Sequence, residues 1–406
     1  MSLTPSHPAD QRLHGLDALR GFALLLGIVL HASLSFFPAQ TWIVHDVSTS
    51  IGAAWLFFAI HLFRMTAFFL IAGLFAHMLL GRQGWLGFVK DRLIRIGSPL
   101  VVFWVPVMAG IIVALVWNAH ASGLITPGTE PPPPPTYDWT NFPLTHLWFL
   151  WVLLIFYAAV LILRAPPALL DRNGGWARVT DRLTGALIGP WTPLLLALPL
   201  AFAFWSDPDW IAFFAVPTPD EGLVPNPSAL VGFGTTFGLG FLLDRRRDLL
   251  ARIAGWSPAF LLLAVGSGTA GYMMAGGPNL TPMAEPTVEK AVTAIIIAIA
   301  IHASALAAMG LCLKFLSAPG SVRRYLSDSS YWVYVVHLPL VMLAQVWVQD
   351  WSIAWWIKLG AVSLGVLAIC LVTYELLVRH SFLGGWLNGR RIPWKRQARP
   401  APALAE

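Results

Sequence analysis

Charge is what this sequence has least of. Only 11% of its 406 residues are Asp, Glu, Lys or Arg, against roughly a quarter in a soluble domain, while 57% are hydrophobic and the mean hydropathy is +0.68. That balance excludes an ordinary soluble domain and reads as an integral membrane protein. Cysteine is nearly absent. Cys312 and Cys370 both fall in or beside apolar segments, so no disulfide framework, no metal site and no bound cofactor are expected. The formal charge of +6 is spread over short loops between apolar runs and not over one amphipathic face, which excludes a nucleic-acid partner. The chain has no compact charged region before Asp17, so its first apolar stretch reads as a retained span and not as a cleaved signal. Without internal repeats or a composition shift, residues 1–390 read as one membrane domain. Residues 391–406 read as a basic, disordered cytoplasmic tail.

What is present is a series of apolar runs. They predict an all-α, polytopic fold of about ten transmembrane helices near 16–38, 51–80, 98–118, 146–164, 190–206, 228–243, 256–276, 287–316, 330–349 and 353–378. Every second exit is basic: Arg82, Lys90, Arg92 and Arg95 follow the second run, and Arg245, Arg246, Arg247 and Arg252 follow the sixth. The alternate loops 39–50, 119–145, 206–227 and 277–286 hold no Lys or Arg. By the positive-inside rule both termini are cytoplasmic. Pro131 to Pro135 in the longest outer loop form a stiff spacer, open between a linker and a substrate-holding role.

The stretch from Leu16 to Pro38 carries the ionisable groups that need a reason. Asp17, Arg20 and His31 interrupt a run long enough to cross a bilayer, where such groups face a protein interior or a wet cavity. At about 100° per residue, the eleven-residue step from Arg20 to His31 returns to nearly the same face, about 16 Å further on. Asp17 sits one turn before Arg20, placed to neutralise it. The expected polar stripe forms one wall of a site.

The R-x₁₀-H pattern from Arg20 to His31 follows L-D-x-x-R-G. It is followed in order by FFLIAGLF at Phe68 to Phe75, by Arg92 and Arg95 before Pro99, by HLWFL at His146 to Leu150, and by YWVYVVHLPL at Tyr331 to Leu340. The set resembles the membrane acyltransferase family 3. Within that family, HLFRMTAFFLIAGLF from His61 to Phe75 and YELLVR from Tyr374 to Arg379 are similar to the osmoregulated periplasmic glucan biosynthesis protein C group, which succinylates glucans. The resemblance implies an inner-membrane O-acyltransferase. It would pass an acyl group, succinyl by this likeness, from cytoplasmic acyl-coenzyme A as co-substrate to hydroxyls of a periplasmic glucan, with glucan-synthesis proteins as possible partners. O-acetylation of another surface polysaccharide or lipid-linked sugar is the nearest alternative. A glucan exporter or proton-coupled transporter is a further one and predicts repeated halves.

Each candidate residue has a plainer reading beside the functional one. An imidazole at His31 has the intrinsic pKa to take a proton from a sugar hydroxyl; otherwise it is a hydrogen-bonded packing group. Arg20 fixes His31 or clamps a carbonyl or phosphate, or it snorkels at a helix end. Arg92 and Arg95, one turn apart, present two forks to the phosphates of coenzyme A, or only mark the cytoplasmic side. His61 and Arg64 are expected to meet His31 from below. Arg64 is too deep to snorkel and pairs either with the distal carboxylate of a succinyl donor or with Asp46 or Glu375. His146 and Trp148 are expected at the outer rim where sugar arrives, with an interfacial Trp as the plainer role. His337 precedes Pro339, which breaks the helix ladder and opens it toward a cavity or toward packing. His302 is a further mid-span imidazole.

Overall fold

Apolar runs have to satisfy their backbone groups internally, and here they do so as helices. The structure is a computed structural model that describes residues 14–39, 42–125, 135–171 and 173–389. The expected tail 391–406 and Pro131 to Pro134 of the spacer lie outside the described residues. In chain order the helices are α1 His14–Ser33, α2 Ile51–Arg92, α3 Ser98–Ala121, α4 Trp148–Leu170, α5 Gly175–Leu187, α6 Thr192–Ser206, α7 Pro227–Arg245, α8 Leu249–Met274, α9 Val288–Phe315, α10 Ser321–Val348, α11 Trp355–Thr373 and α12 Phe382–Asn388. Among the described residues there is no strand, and a single bridge joins Pro143 to Glu221.

Seven stretches are long and apolar enough to cross a membrane, or eight if the bent pair α5 and α6 is one span. One stretch, Ile51–Ala121, runs 71 residues and holds both α2 and α3. Gly84 (φ 68°) breaks α2 beyond its apolar part, and a π turn at Leu93–Gly97 leads into α3. His61 of α2 lines one cavity with Ile111 of α3, whereas Phe75 lines another with Ile96 just before α3, so the two helices run antiparallel.

Two departures from the sequence expectation are additions. α5 is amphipathic, with Arg178 and Arg182 among its apolar residues, and lacks the unbroken run by which a span is recognised. α12 is only seven residues long. Trp386 of α12 donates to the Ile94 carbonyl at 2.8 Å, and Asn388 donates to the Asp328 carbonyl at 2.9 Å, so this short helix is tied under the bundle.

Close backbone contact sets the α2–α7 crossing. A Cβ on Gly73 would overlap the Phe237 carbonyl and one on Gly240 the Leu70 carbonyl, so each helix presents a glycine to the other's backbone. Such small-residue contacts are how helices gain packing in lipid, where burial of apolar surface gives little. The crossing seats Phe69 against Phe233, stacked at 4.7 Å between centroids, and holds the α2 face that bears His61 and Arg64.

Candidate functional site

Two cavities meet inside the bundle, called inner for the one nearer the α1 N-terminus and outer for the one nearer its C-terminus. The inner one, about 290 Å³, is lined by Arg20, Arg92, Arg95, Ser327, Tyr331 and residues of α2 and α12. The outer one, about 420 Å³, is lined by His31, His61, His146, Trp148, His337 and a rim that includes Trp42, Thr218, Asp220 and Glu221. Arg64, Met65 and Tyr334 line both and form the partition. The five polar residues expected in the acyl or acceptor pocket therefore do converge, and they converge around His31.

Four of the imidazoles are anchored, and the anchors fix their protons. Pro339 has no N–H to offer the Val335 carbonyl one turn back, and His146 Nε2 fills that role, donating to it at 3.1 Å. The expected break at Pro339 thus serves to hold His146. His337 Nδ1 donates to the Tyr334 carbonyl at 2.7 Å, which leaves Nε2 as its lone-pair nitrogen. His61 Nε2 donates to the Val216 carbonyl at 3.2 Å. His302 Nδ1 bonds its own helix at the Ala298 carbonyl, 2.8 Å away, and lines neither cavity, which makes it a packing residue.

His31 differs from all of these. Its ring makes no hydrogen bond among the described residues and lies 5.3 Å from the His337 ring and 6.3 Å from Trp42, centroid to centroid. Only its backbone is held, by Gln345 Nε2 donating to the His31 carbonyl at 2.9 Å. Nδ1 of His31, Nδ1 of His61, Nε of Arg64 and Nε2 of His337 are buried without a hydrogen-bond partner, so four polar atoms with unmet capacity face one cavity. Buried polar groups are nearly always paired, and such a cluster marks a place where chemistry or a ligand belongs.

Three expectations about this region are corrected. Arg20 and His31 share a helix face but not a chamber: Arg20 lines the inner cavity, where its Nη2 donates to Ser327 Oγ at 2.6 Å and lies 3.7 Å from Asp17. The separation follows from the rise of α1, which carries His31 past the Arg64–Tyr334 partition. His146 and Trp148 are not at the rim but in the wall, 6% and 5% exposed, with Trp148 stacked on Phe233 at 5.4 Å. Asp46 and Glu375 do not serve Arg64. Asp46 binds Lys358 at 2.7 Å, and Glu375 binds Arg379 at 2.8 Å.

Arg92 and Arg95 straddle the end of α2 and the π turn and both bind Asp91, Arg92 through Nε at 3.1 Å and Arg95 through Nε at 3.0 Å. The Arg92 guanidinium also lies over the Tyr157 ring at 5.4 Å. These contacts orient both forks at the inner mouth, and Asp91 is the internal competitor any anion there has to displace. Tyr331 donates to the Arg95 carbonyl at 2.7 Å, and Tyr334 donates to the His146 carbonyl at 2.7 Å, so one face of α10 braces both chambers. Tyr331, Tyr334 and Ser327 were not singled out from sequence. The spacing of Tyr331, Tyr334 and His337, three residues apart on one helical face, is the signal that identifies them.

The outer rim is strained and acidic. Thr145, beside His146, has φ 51°, held by its N–H donating to the Asp220 carbonyl at 3.1 Å. Asp220 opens to the cavity, and desolvation raises its carboxyl above the ordinary carboxylate range, with Glu221 adding to the rise. Among the described residues no cluster of His, Cys, Asp and Glu could hold a metal ion.

Comparison with known proteins identifies the family. Residues 13–375 match the acyltransferase family 3 model, described as an acyltransferase domain. Glucans biosynthesis protein C of Escherichia coli K12 is 32% identical over 149 residues, and so is that of Escherichia coli O1:K1. The aligned part is 36% of this chain and 37% of each relative, so the chain spans little more than a third of the curated relatives' length. No solved structure matches. A family model that covers most of the chain, over two chambers lined by its histidines and arginines, leads to one statement: the chain belongs to acyltransferase family 3, as a multi-pass membrane protein.

Proposed function

We propose that this protein is an O-acyltransferase of the bacterial inner membrane that passes an acyl group, succinyl in the first instance, from cytoplasmic acyl-coenzyme A to a hydroxyl of a periplasmic glucan. The observation that carries this reading is the pair of chambers meeting at Arg64, Met65 and Tyr334, arginines on one side and an unbonded imidazole on the other. About ten crossings with both termini cytoplasmic set the arginine chamber toward the donor and the histidine chamber toward the acceptor, in keeping with the basic even-numbered exits. Arg92 and Arg95 hold donor phosphates, exchanging Asp91 for a stronger anion. The pantetheine arm then runs past Arg20 toward the partition.

In the outer chamber, His31 takes the proton of the acceptor hydroxyl as the oxygen attacks the thioester carbonyl. The carbon–oxygen bond forms, the carbon–sulfur bond breaks, and the proton on His31 returns to the departing thiolate. His31 suits a base because its Nδ1 has no hydrogen-bond partner among the described residues. His146 and His337, fixed by backbone carbonyls, shape the wall around it. The glucan acceptor is supported by the name of the partial relatives. The test is mass spectrometry of periplasmic glucans from cells with and without this protein, beside membranes supplied with labelled succinyl- and acetyl-coenzyme A. A succinyl mass increment that depends on the protein supports the reading, an acetyl increment moves it to O-acetylation, and unmodified glucan refutes the acceptor.

A further inference from the structure

We propose that Arg64 is the residue that selects the acyl group, by pairing with a carboxylate at the far end of a short dicarboxylic acyl chain. The inference rests on the acyl-transfer reading above and adds to it the residue that recognises the far end of the acyl chain. Arg64 sits in mid-helix on α2, 8% exposed, lining both cavities. It makes no ion pair or hydrogen bond among the described residues, and its Nε is buried without a partner. The acids that a mid-span arginine would ordinarily use are committed elsewhere: Asp46 to Lys358, Glu375 to Arg379, Asp244 to His77 and Arg247, and Asp91 to Arg92 and Arg95. Asp220 and Glu221 open on the outer cavity and Asp328 on the inner one, and none of them forms an ion pair with Arg64.

An unpaired guanidinium in the interior of a membrane protein is costly, and its permanence at this point implies a transient anion that offsets the cost. Phosphate is one candidate class, but the phosphate-suited forks already stand at the inner mouth. Arg64 lies instead at the partition, where the thioester end of the donor has to arrive for His31 to act on it. A carboxylate two methylenes from the thioester carbon reaches the guanidinium while that carbon stays near the histidines. Gly27 makes the position available. A Cβ there would lie 2.8 Å from Arg64 Nη1 and 3.9 Å from His337 Nε2, so the missing side chain of α1 is the space the guanidinium occupies beside His337. Since that space is lined by Arg64 and imidazoles, an acyl group ending in a methyl would leave the guanidinium without an anion.

The discriminating experiment compares two donors of equal chain length, succinyl-coenzyme A and butyryl-coenzyme A, which differ in the terminal carboxylate. Initial rates on glucan are measured for the purified full-length protein and for its Arg64→Gln and Gly27→Ala variants. Arg64→Gln should lower kcat/KM for succinyl by about ten- to a hundredfold, the worth of a charge-assisted contact, and leave butyryl within a few fold. Gly27→Ala retains the charge but displaces the flexible guanidinium, so it should show the same donor-selective loss in a protein whose fold is little disturbed. Equal losses for both donors would overturn the inference and assign Arg64 to the carbonyl oxygen common to them. Unchanged selectivity in both variants would overturn it as well. If the unmodified protein uses acetyl-coenzyme A but neither of these donors, the inference is overturned while acyl transfer stands; if it uses none of the three, the acyl-transfer reading itself fails, a result distinct from the others.

Discussion

Gln345 donates through Nε2 to the His31 carbonyl at 2.9 Å and accepts from Trp42 Nε1 at 2.9 Å, so one amide on α10 ties the His31 turn of α1 to the outer rim. His31 lies near the end of α1, where the last carbonyls lack helical partners. Gln345 supplies one and in doing so fixes where the free ring points. Replacing it with Leu leaves both the carbonyl and the indole N–H unpaired without altering the ring. The expected result is a fall in kcat of about two- to tenfold, the range of one neutral hydrogen bond, with coenzyme A affinity unchanged. Steady-state kinetics with a parallel donor-binding measurement would check the split.

Arg92 and Arg95 face the inner cavity while bound to Asp91, which yields a prediction with opposite signs. Arg92→Gln and Arg95→Gln each remove a phosphate partner and should weaken coenzyme A binding about ten- to a hundredfold. Asp91→Asn removes the competitor and should hold or tighten it. Titration calorimetry on the protein in detergent reads both. Weakening by Asp91→Asn as strong as that by Arg92→Gln would mean that the acid chiefly positions the forks.

Most of this arrangement is legible from the order of residues, because it rests on depth and helical face. The spacing of Arg20 and His31 and the opposite run of α2 bearing His61 and Arg64 follow from a fixed rise per residue, and the break at Pro339 follows from its missing N–H. What cannot be read that way is which neighbour a polar atom chooses. Nothing in the sequence pairs Asp46 with Lys358, more than three hundred residues away, or divides the face of α1 between two chambers. α12 is invisible for a different reason. A seven-residue helix has too little periodicity to be told from a loop, and its position depends on the carbonyls of Ile94 and Asp328.

The Asp46–Lys358 pair should prove structural. Both side chains are fully buried, at 0% and 1% exposure, and Lys358 Nζ also donates to the Gln349 carbonyl at 3.2 Å, which fastens the first outer loop to the junction of α10 and α11. Lys358→Met leaves a buried carboxylate alone and should cost about 3 to 5 kcal/mol, whereas Lys358→Met with Asp46→Leu should recover much of that loss. Thermal unfolding in detergent tests the order. A double variant less stable than the single one would show that the pair is worth more than its desolvation costs.

His31→Gln separates a base from a packing residue. Glutamine keeps polarity and approximate reach but has no nitrogen that accepts a proton near neutral pH, so turnover per folded molecule should fall on the order of a hundred- to ten-thousandfold. Donor binding should hardly change, because Arg92 and Arg95 line the other chamber. Stability should hold as well, since the His31 ring forms no hydrogen bond among the described residues that the substitution could break. The control is His302→Gln. His302 is fully buried and bonded to the Ala298 carbonyl, so its replacement should lower the melting temperature and leave the turnover of surviving folded protein near normal. Activity and melting temperature then move in opposite patterns for the two histidines. A well-folded His31→Gln protein that turns over normally would transfer the base role to His61 or His337, whose Nδ1 and Nε2 are the other unpartnered ring nitrogens lining the outer chamber.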